Sequence, residues 1–127
     1  MKKPEGKRSD RVAERLRAEL AELAIRGRLR DPRVKELVIS GVHVTDDLQQ
    51  ARVYVRLLRE VDERRRRGVV EALTRAAGFL RRELAPRLEL RRVPELSFFW
   101  DDHIDRIDRL EHVFDELKRE SSAKEDE

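Results

Sequence analysis

Apolar residues recur along this chain with two different periods, and the switches between them divide it into elements. Val12, Leu16, Leu20 and Leu23 lie 4, 4 and 3 residues apart, which puts one apolar stripe on a helix. Ser9 or Asp10 is placed to cap its start and Gly27 to stop it. Arg30-Asp31-Pro32-Arg33 breaks any continuation, because the residue before a proline is driven toward extended geometry. Residues 37–45 are rich in β-branched side chains and predict a strand that changes phase between Ile39 and Val42, with Gly41 marking a bulge. After a turn at Asp46-Asp47-Leu48-Gln49, the residues Ala51, Val53, Val55 and Leu57 alternate with Arg52, Tyr54 and Arg56. That alternation predicts a second strand, hairpinned to the first, with one face in the core and the other toward solvent or a ligand.

Helical spacing returns with Val69, Val70, Leu73, Ala76, Ala77, Leu80 and Leu84. Gly78 interrupts it, and glycine within a helix costs about 1 kcal/mol relative to alanine, so two helical segments meeting at an angle are expected there. A charged connection over 59–67 leads into the pair, and Pro86 is expected to end the second segment. A third strand is predicted over 96–100, with Phe98 and Phe99 on opposite faces, and a last helix from Asp101 or Asp102 to about Lys118. The order α-β-β-α-α-β-α predicts an α+β fold, a three-stranded sheet with helices packed on one face. One domain is expected over 9–118, with a flexible basic tail at 1–8 and a flexible polar tail at 119–127.

Charge adds a direction to this outline. Charged residues are 45% of the 127 positions, yet the net charge is only +3. Residues 64–92 hold 10 basic and 3 acidic groups and residues 93–127 hold 5 and 12, so the field is bipolar. A polyanion-binding face on the first helix and the central helices fits that split. So does a surface laced with ion pairs such as Glu22/Arg26 and Glu71/Arg75, and the two readings are compatible. The candidate phosphate contacts are Arg8, Arg11 and Arg15, then Arg75, Ala76, Ala77, Gly78, Arg81 and Arg82 at the expected bend, and Arg91 and Arg92 after it. Tyr54, between Arg52 and Arg56, is the stacking candidate. Arg64 to Arg67 fit a solvated charge run and direct contact equally well.

Other chemistry finds little support. The chain has no cysteine, which excludes disulfides and thiol catalysis. Asp101-Asp102-His103-Ile104-Asp105 spells an aspartate-rich metal pattern, but acids at a helix start are expected for capping and for the macrodipole. His43, His103 and His112 lack metal-ligand spacing, and no nucleophile stands beside a marked base. A noncatalytic protein without cofactors is expected, soluble, cytoplasmic and monomeric, with no membrane segment.

The combination of Arg11-Val12, Asp31-Pro32-Arg33, Val44-Thr45-Asp46-Asp47-Leu48, Ala51-Arg52-Val53-Tyr54-Val55, Ala76-Ala77-Gly78-Phe79-Leu80-Arg81, Arg91-Arg92-Val93-Pro94-Glu95-Leu96-Ser97-Phe98 and Asp101 resembles the ribosome-binding factor A family. The resemblance runs from Arg8 to Leu117. It implies a type II KH-like fold in which an Ala-x-Gly kink, here Ala76-Ala77-Gly78, replaces the Gly-x-x-Gly loop of ordinary KH domains. It further implies binding to the immature small (30S) ribosomal subunit, chiefly through 16S rRNA, a role in late maturation of that RNA, and importance in the cold. His103 and Ile107 depart from the family's usual serine and glycine. The alternative is a KH-like nucleic-acid-binding module not tied to ribosomes, because phosphate affinity carries little sequence information.

Overall fold

A computed structural model describes residues 7–102. Its elements are α1 (Arg8–Ile25), a 3-10 turn (Pro32–Val34), β1 (Leu37–Val44), β2 (Gln50–Leu57), α2 (Glu63–Leu88) and β3 (Glu95–Trp100). The helix expected after Asp101 lies outside the described residues. β1 and β2 form an antiparallel hairpin, and β3 joins β2 in parallel, giving the sheet order β1-β2-β3. The register slips between Ile39 and Gly41, so the bulge is real, and the extra residue Ser40 donates its hydroxyl to the Tyr54 carbonyl at 3.0 Å.

Both helices cover one face of the sheet, α1 against β1 and α2 against β3. Between the layers Leu16, Leu23, Leu73, Leu80 and Leu84 meet Val53 and Val55, all essentially without solvent contact. Each such side chain contributes about 1.5–3 kcal/mol by leaving water. The two helices run in opposite senses, because Arg15 and Glu19 both bond to Arg87 while the later Arg28 pairs with Glu83. One end of the molecule therefore gathers the start of α1, the hairpin turn, the end of α2 and the start of β3.

Three local expectations are corrected. Ser9 and Asp10 do not cap α1, whose N-cap is Lys7 with no side-chain bond. Ser9 is buried inside the helix, its hydroxyl held by the Asp46 carboxylate of the hairpin turn at 3.3 Å. That carboxylate beside a helix N-terminus also suits the macrodipole. Second, the central helical pair is one uninterrupted α2 of 26 residues, with no break at Gly78. It begins inside the expected connection because the Asp62 carboxylate accepts the Arg65 N–H at 2.8 Å, so Arg64 to Arg67 belong to its first turns. Third, Pro86 lies within α2 rather than ending it. Its missing N–H costs one bond in the last turn, while the buried Leu84 and Leu88 on either side hold that turn to the core. The helix stops when Glu89 turns left-handed, at φ 53°.

Asp31-Pro32-Arg33 forms the 3-10 turn and clips it beneath α2. The Asp31 carboxylate accepts the Arg33 backbone N–H at 2.9 Å and its guanidinium at 2.7 Å, and Val34 is buried. Hydrogen bonds from the Arg33 side chain, and then its backbone, hold the Asp31 carboxyl down from 3.8 to about 2.

Candidate nucleic-acid interface

An arginine already bonded to a carboxylate is poorly placed to neutralise a phosphate, so the pairing pattern sorts the cationic surface. Arg17 is held by Glu14, Arg26 by Glu22, Arg28 by Glu83, Arg59 by Glu36 and Arg87 by Glu19. Arg66 pairs with Asp102 at 3.3 Å and lies over the Trp100 ring at 5.5 Å. By contrast, Arg8, Arg11, Arg30, Arg52, Arg56, Arg64, Arg67, Arg82, Arg91 and Arg92 are exposed and form no ion pair among the described residues.

The structure divides the residues singled out from the sequence into four places. Arg8, Arg11 and Arg15 share one stripe at the start of α1 and, with Leu88 at the end of α2 and Leu90 just beyond it, line a depression of about 300 Å³. Arg91 and Arg92 follow Leu90 directly and stay exposed, adding to the arginines at this end of the molecule. One of them is already engaged: Arg15 pairs with Glu19 at 3.5 Å and donates to the Arg87 carbonyl at 3.1 Å, satisfying an orphan carbonyl in the last turn of α2.

Arg75, Gly78 and Arg82 occupy a second place, the exposed stripe of α2, at spacings of 3 and 4. Arg75 is bonded to Glu71 at 2.9 Å, an exposed helix-spaced pair of small worth. Ala76 and Ala77 turn toward the core. Ala76 and Phe79, with Arg26, Arg28 and Arg30, line a cleft of about 650 Å³ between α2 and the segment leaving α1. Sequence reasoning does not single out those three arginines as contacts. The available signal was their two-residue spacing just after a helix stop, where Gly27 takes φ 69° and starts a non-helical segment.

Arg81 takes the third place and turns inward. Its Nη2 donates to the Val93 carbonyl at 2.8 Å and its Nε is buried without a hydrogen-bond partner among the described residues, so it braces the loop before β3 rather than facing solvent. Tyr54 occupies the fourth, on the sheet face opposite the helices, stacked against Phe99 with ring centroids 5.7 Å apart. Phe98 points into the core while Phe99 is 43% exposed, as strand alternation requires.

In contrast to Gly27 with its φ of 69°, Gly78 is not fixed by the backbone or by packing. A Cβ built on it would meet nothing within 4 Å, and its φ is not in the left-handed region. Neither packing nor backbone conformation requires glycine there, although it costs helix stability.

Fold and surface together define a class: a two-layer α+β protein with an arginine-rich face of which much is not internally neutralised. Within it, this chain belongs to the ribosome-binding factor A family, whose model, described as "Ribosome-binding factor A", matches residues 8–114. A ribosome-binding factor A from Syntrophobacter fumaroxidans is 44% identical over 115 residues, spanning 91% of this chain and 97% of that protein. The crystal structure of ribosome-binding factor A from Thermus thermophilus superposes with a TM-score of 0.60 at 33% identity, covering 72% of this chain and 93% of that one. A homology model of the Thermus thermophilus factor, fitted into a cryo-EM map of a 30S-RbfA complex, superposes with a TM-score of 0.52 at 33% identity, covering 69% and 94%.

Proposed function

We propose that this protein is a noncatalytic assembly factor that binds the immature small ribosomal subunit through 16S rRNA and assists late maturation of that RNA. The observation that carries the reading is the Arg75, Gly78, Arg82 stripe. A glycine that the fold does not need leaves bare backbone between two guanidinium groups on an exposed helix face. A phosphate chain can approach such a surface closely, as it approaches glycine-bearing turns elsewhere. The arginines at the start of α1 and after α2 add a second cationic patch, and the proposed contacts are Arg8, Arg11, Arg15, Arg75, Gly78, Arg82, Arg91 and Arg92. Membership of a family with a relative fitted in a 30S complex directs the proposal to the small subunit rather than to RNA in general.

Two helices on one face of a mixed three-stranded sheet are compatible with a KH-like module, and the proposal adopts that description with a continuous α2. No metal-ligand cluster exists among the described residues, and none of their helices is long and apolar enough to cross a membrane. Action as a monomer in the cytoplasm, including a role in growth at low temperature, belongs to the proposal. Its test is genetic. Cells lacking the gene should accumulate precursor 16S rRNA and free subunits, more severely in the cold, and the intact gene should restore both. Normal processing and normal subunit profiles in the deletion strain would overturn the assignment.

A further inference from the structure

We infer that the sheet face opposite the helices is a second RNA surface, one that stacks the bases of an unpaired strand. The inference rests on the RNA-binding reading above but concerns a different side of the molecule. Outward positions along β2 are Arg52, Tyr54 and Arg56, at two-residue steps of roughly 6.6 Å. On β3 the residue level with Tyr54 is Phe99, and the two rings tilt by 32° at a centroid distance of 5.7 Å. On β1 the residue level with Tyr54 is Gly41, and His43 is level with Arg52.

Each position has a use in holding single-stranded RNA. Phe99, 43% exposed, offers a π-face that accepts any base, the half-buried Tyr54 backs its ring, and flanking guanidiniums neutralise the phosphates between bases. Arg52 and Arg56 are exposed and bear no ion pair among the described residues, so their charge is available. Among the described residues of this strand, the acids are Glu95, at the start of β3, and Asp101, just past its end, rather than among the rings, and Gln50 donates to Glu95 at 3.2 Å. Gly41 supplies the space. A Cβ built there meets nothing within 4 Å, which leaves an open lane beside Tyr54 on the side away from Phe99. Charge complementarity with the arginines favours nucleic acid over an apolar peptide as the occupant, and the rings favour unpaired bases over a duplex, whose bases are stacked on each other.

The test separates bases from phosphates. The full-length chain is titrated at physiological salt with a fluorescein-labelled oligouridylate 12-mer and with an abasic 12-mer of the same charge. Wild type should prefer the base-bearing strand by about tenfold, the scale of one stacked base. Phe99→Ala and Gly41→Val should each abolish most of that preference. Both variants should keep the wild-type Tm, since Phe99 is half exposed, Gly41 has open space, and valine suits a strand. Arg82→Gln should weaken both oligomers alike and keep the ratio. An equal affinity of wild type for the two strands, or a preference unchanged in both variants, would overturn the inference. Co-sedimentation with small subunits, run on the same preparations, distinguishes this from failure of the proposed function: retained subunit binding with no base preference sinks only the sheet site.

Discussion

Arg81 and Arg82 are adjacent in sequence and opposite in role. Arg81 is half-buried and bonded to the Val93 carbonyl, whereas Arg82 is exposed and unpaired among the described residues. Arg81→Gln should therefore destabilise the fold by about 1–3 kcal/mol, the worth of a charge-assisted bond plus the packing of its stem. Arg82→Gln should leave urea unfolding unchanged and weaken binding to subunits. A similar stability for the two variants would mean that the inward contact of Arg81 is energetically idle. Asp31 gives a prediction in pH. Its folded carboxyl lies near 2 against an ordinary 3.8, so ionisation favours the native state. The stabilisation is complete above about pH 4 and is lost as pH falls toward 2. Asp31→Asn should be less stable than wild type at neutral pH, and the gap should close by about pH 2. A gap that stayed constant across that range would contradict the pairing with Arg33.

Among the elements, α2 holds the sharpest test. Gly78→Ala should stabilise the protein by about 0.4–1 kcal/mol, because the helix is continuous there and the added methyl meets nothing. Gly78→Leu should also fold, yet should weaken subunit binding by filling the bare strip between Arg75 and Arg82. Destabilisation by alanine would show that the backbone at this point needs glycine after all. The same helix shows where sequence reading stops. The β-hairpin is legible to within a residue, bulge included, because strand alternation is a two-residue signal that a single slip disrupts visibly. Gly78 reads wrongly as a joint because a glycine in a helical pattern marks either a bend or a surface requirement, and only the neighbours of its missing Cβ tell them apart. The start of α2 escapes the pattern because its first turns, Glu63 to Arg67, carry no apolar residue, so the Asp62 cap is the one signal present. Which arginines are paired is legible only at helix spacing, as for Glu22/Arg26 and Glu71/Arg75. Contacts such as Arg28 with Glu83 depend on the packing of distant elements.

At the scale of the whole molecule, this chain of the ribosome-binding factor A family leaves many arginines of its described surface without carboxylate partners. Five of these arginines, Arg64, Arg67, Arg82, Arg91 and Arg92, fall in the basic segment 64–92, while residues 93–127 carry 12 acidic against 5 basic groups, so counterion release from RNA is expected from the arginines and not from the C-terminal segment. The direct measurement is the salt dependence of affinity for immature small subunits, compared between wild type and a variant with Arg11→Gln and Arg82→Gln. For about three to five phosphate contacts, log affinity against log salt should slope at roughly −2 to −4, and the double variant should bind more weakly with a slope flatter by about 1 or more. Neutralising Asp115 and Glu116 instead should leave that slope unchanged. Binding indifferent to salt, or equal losses from the basic and acidic variants, would contradict the claim that this arginine surface holds ribosomal RNA.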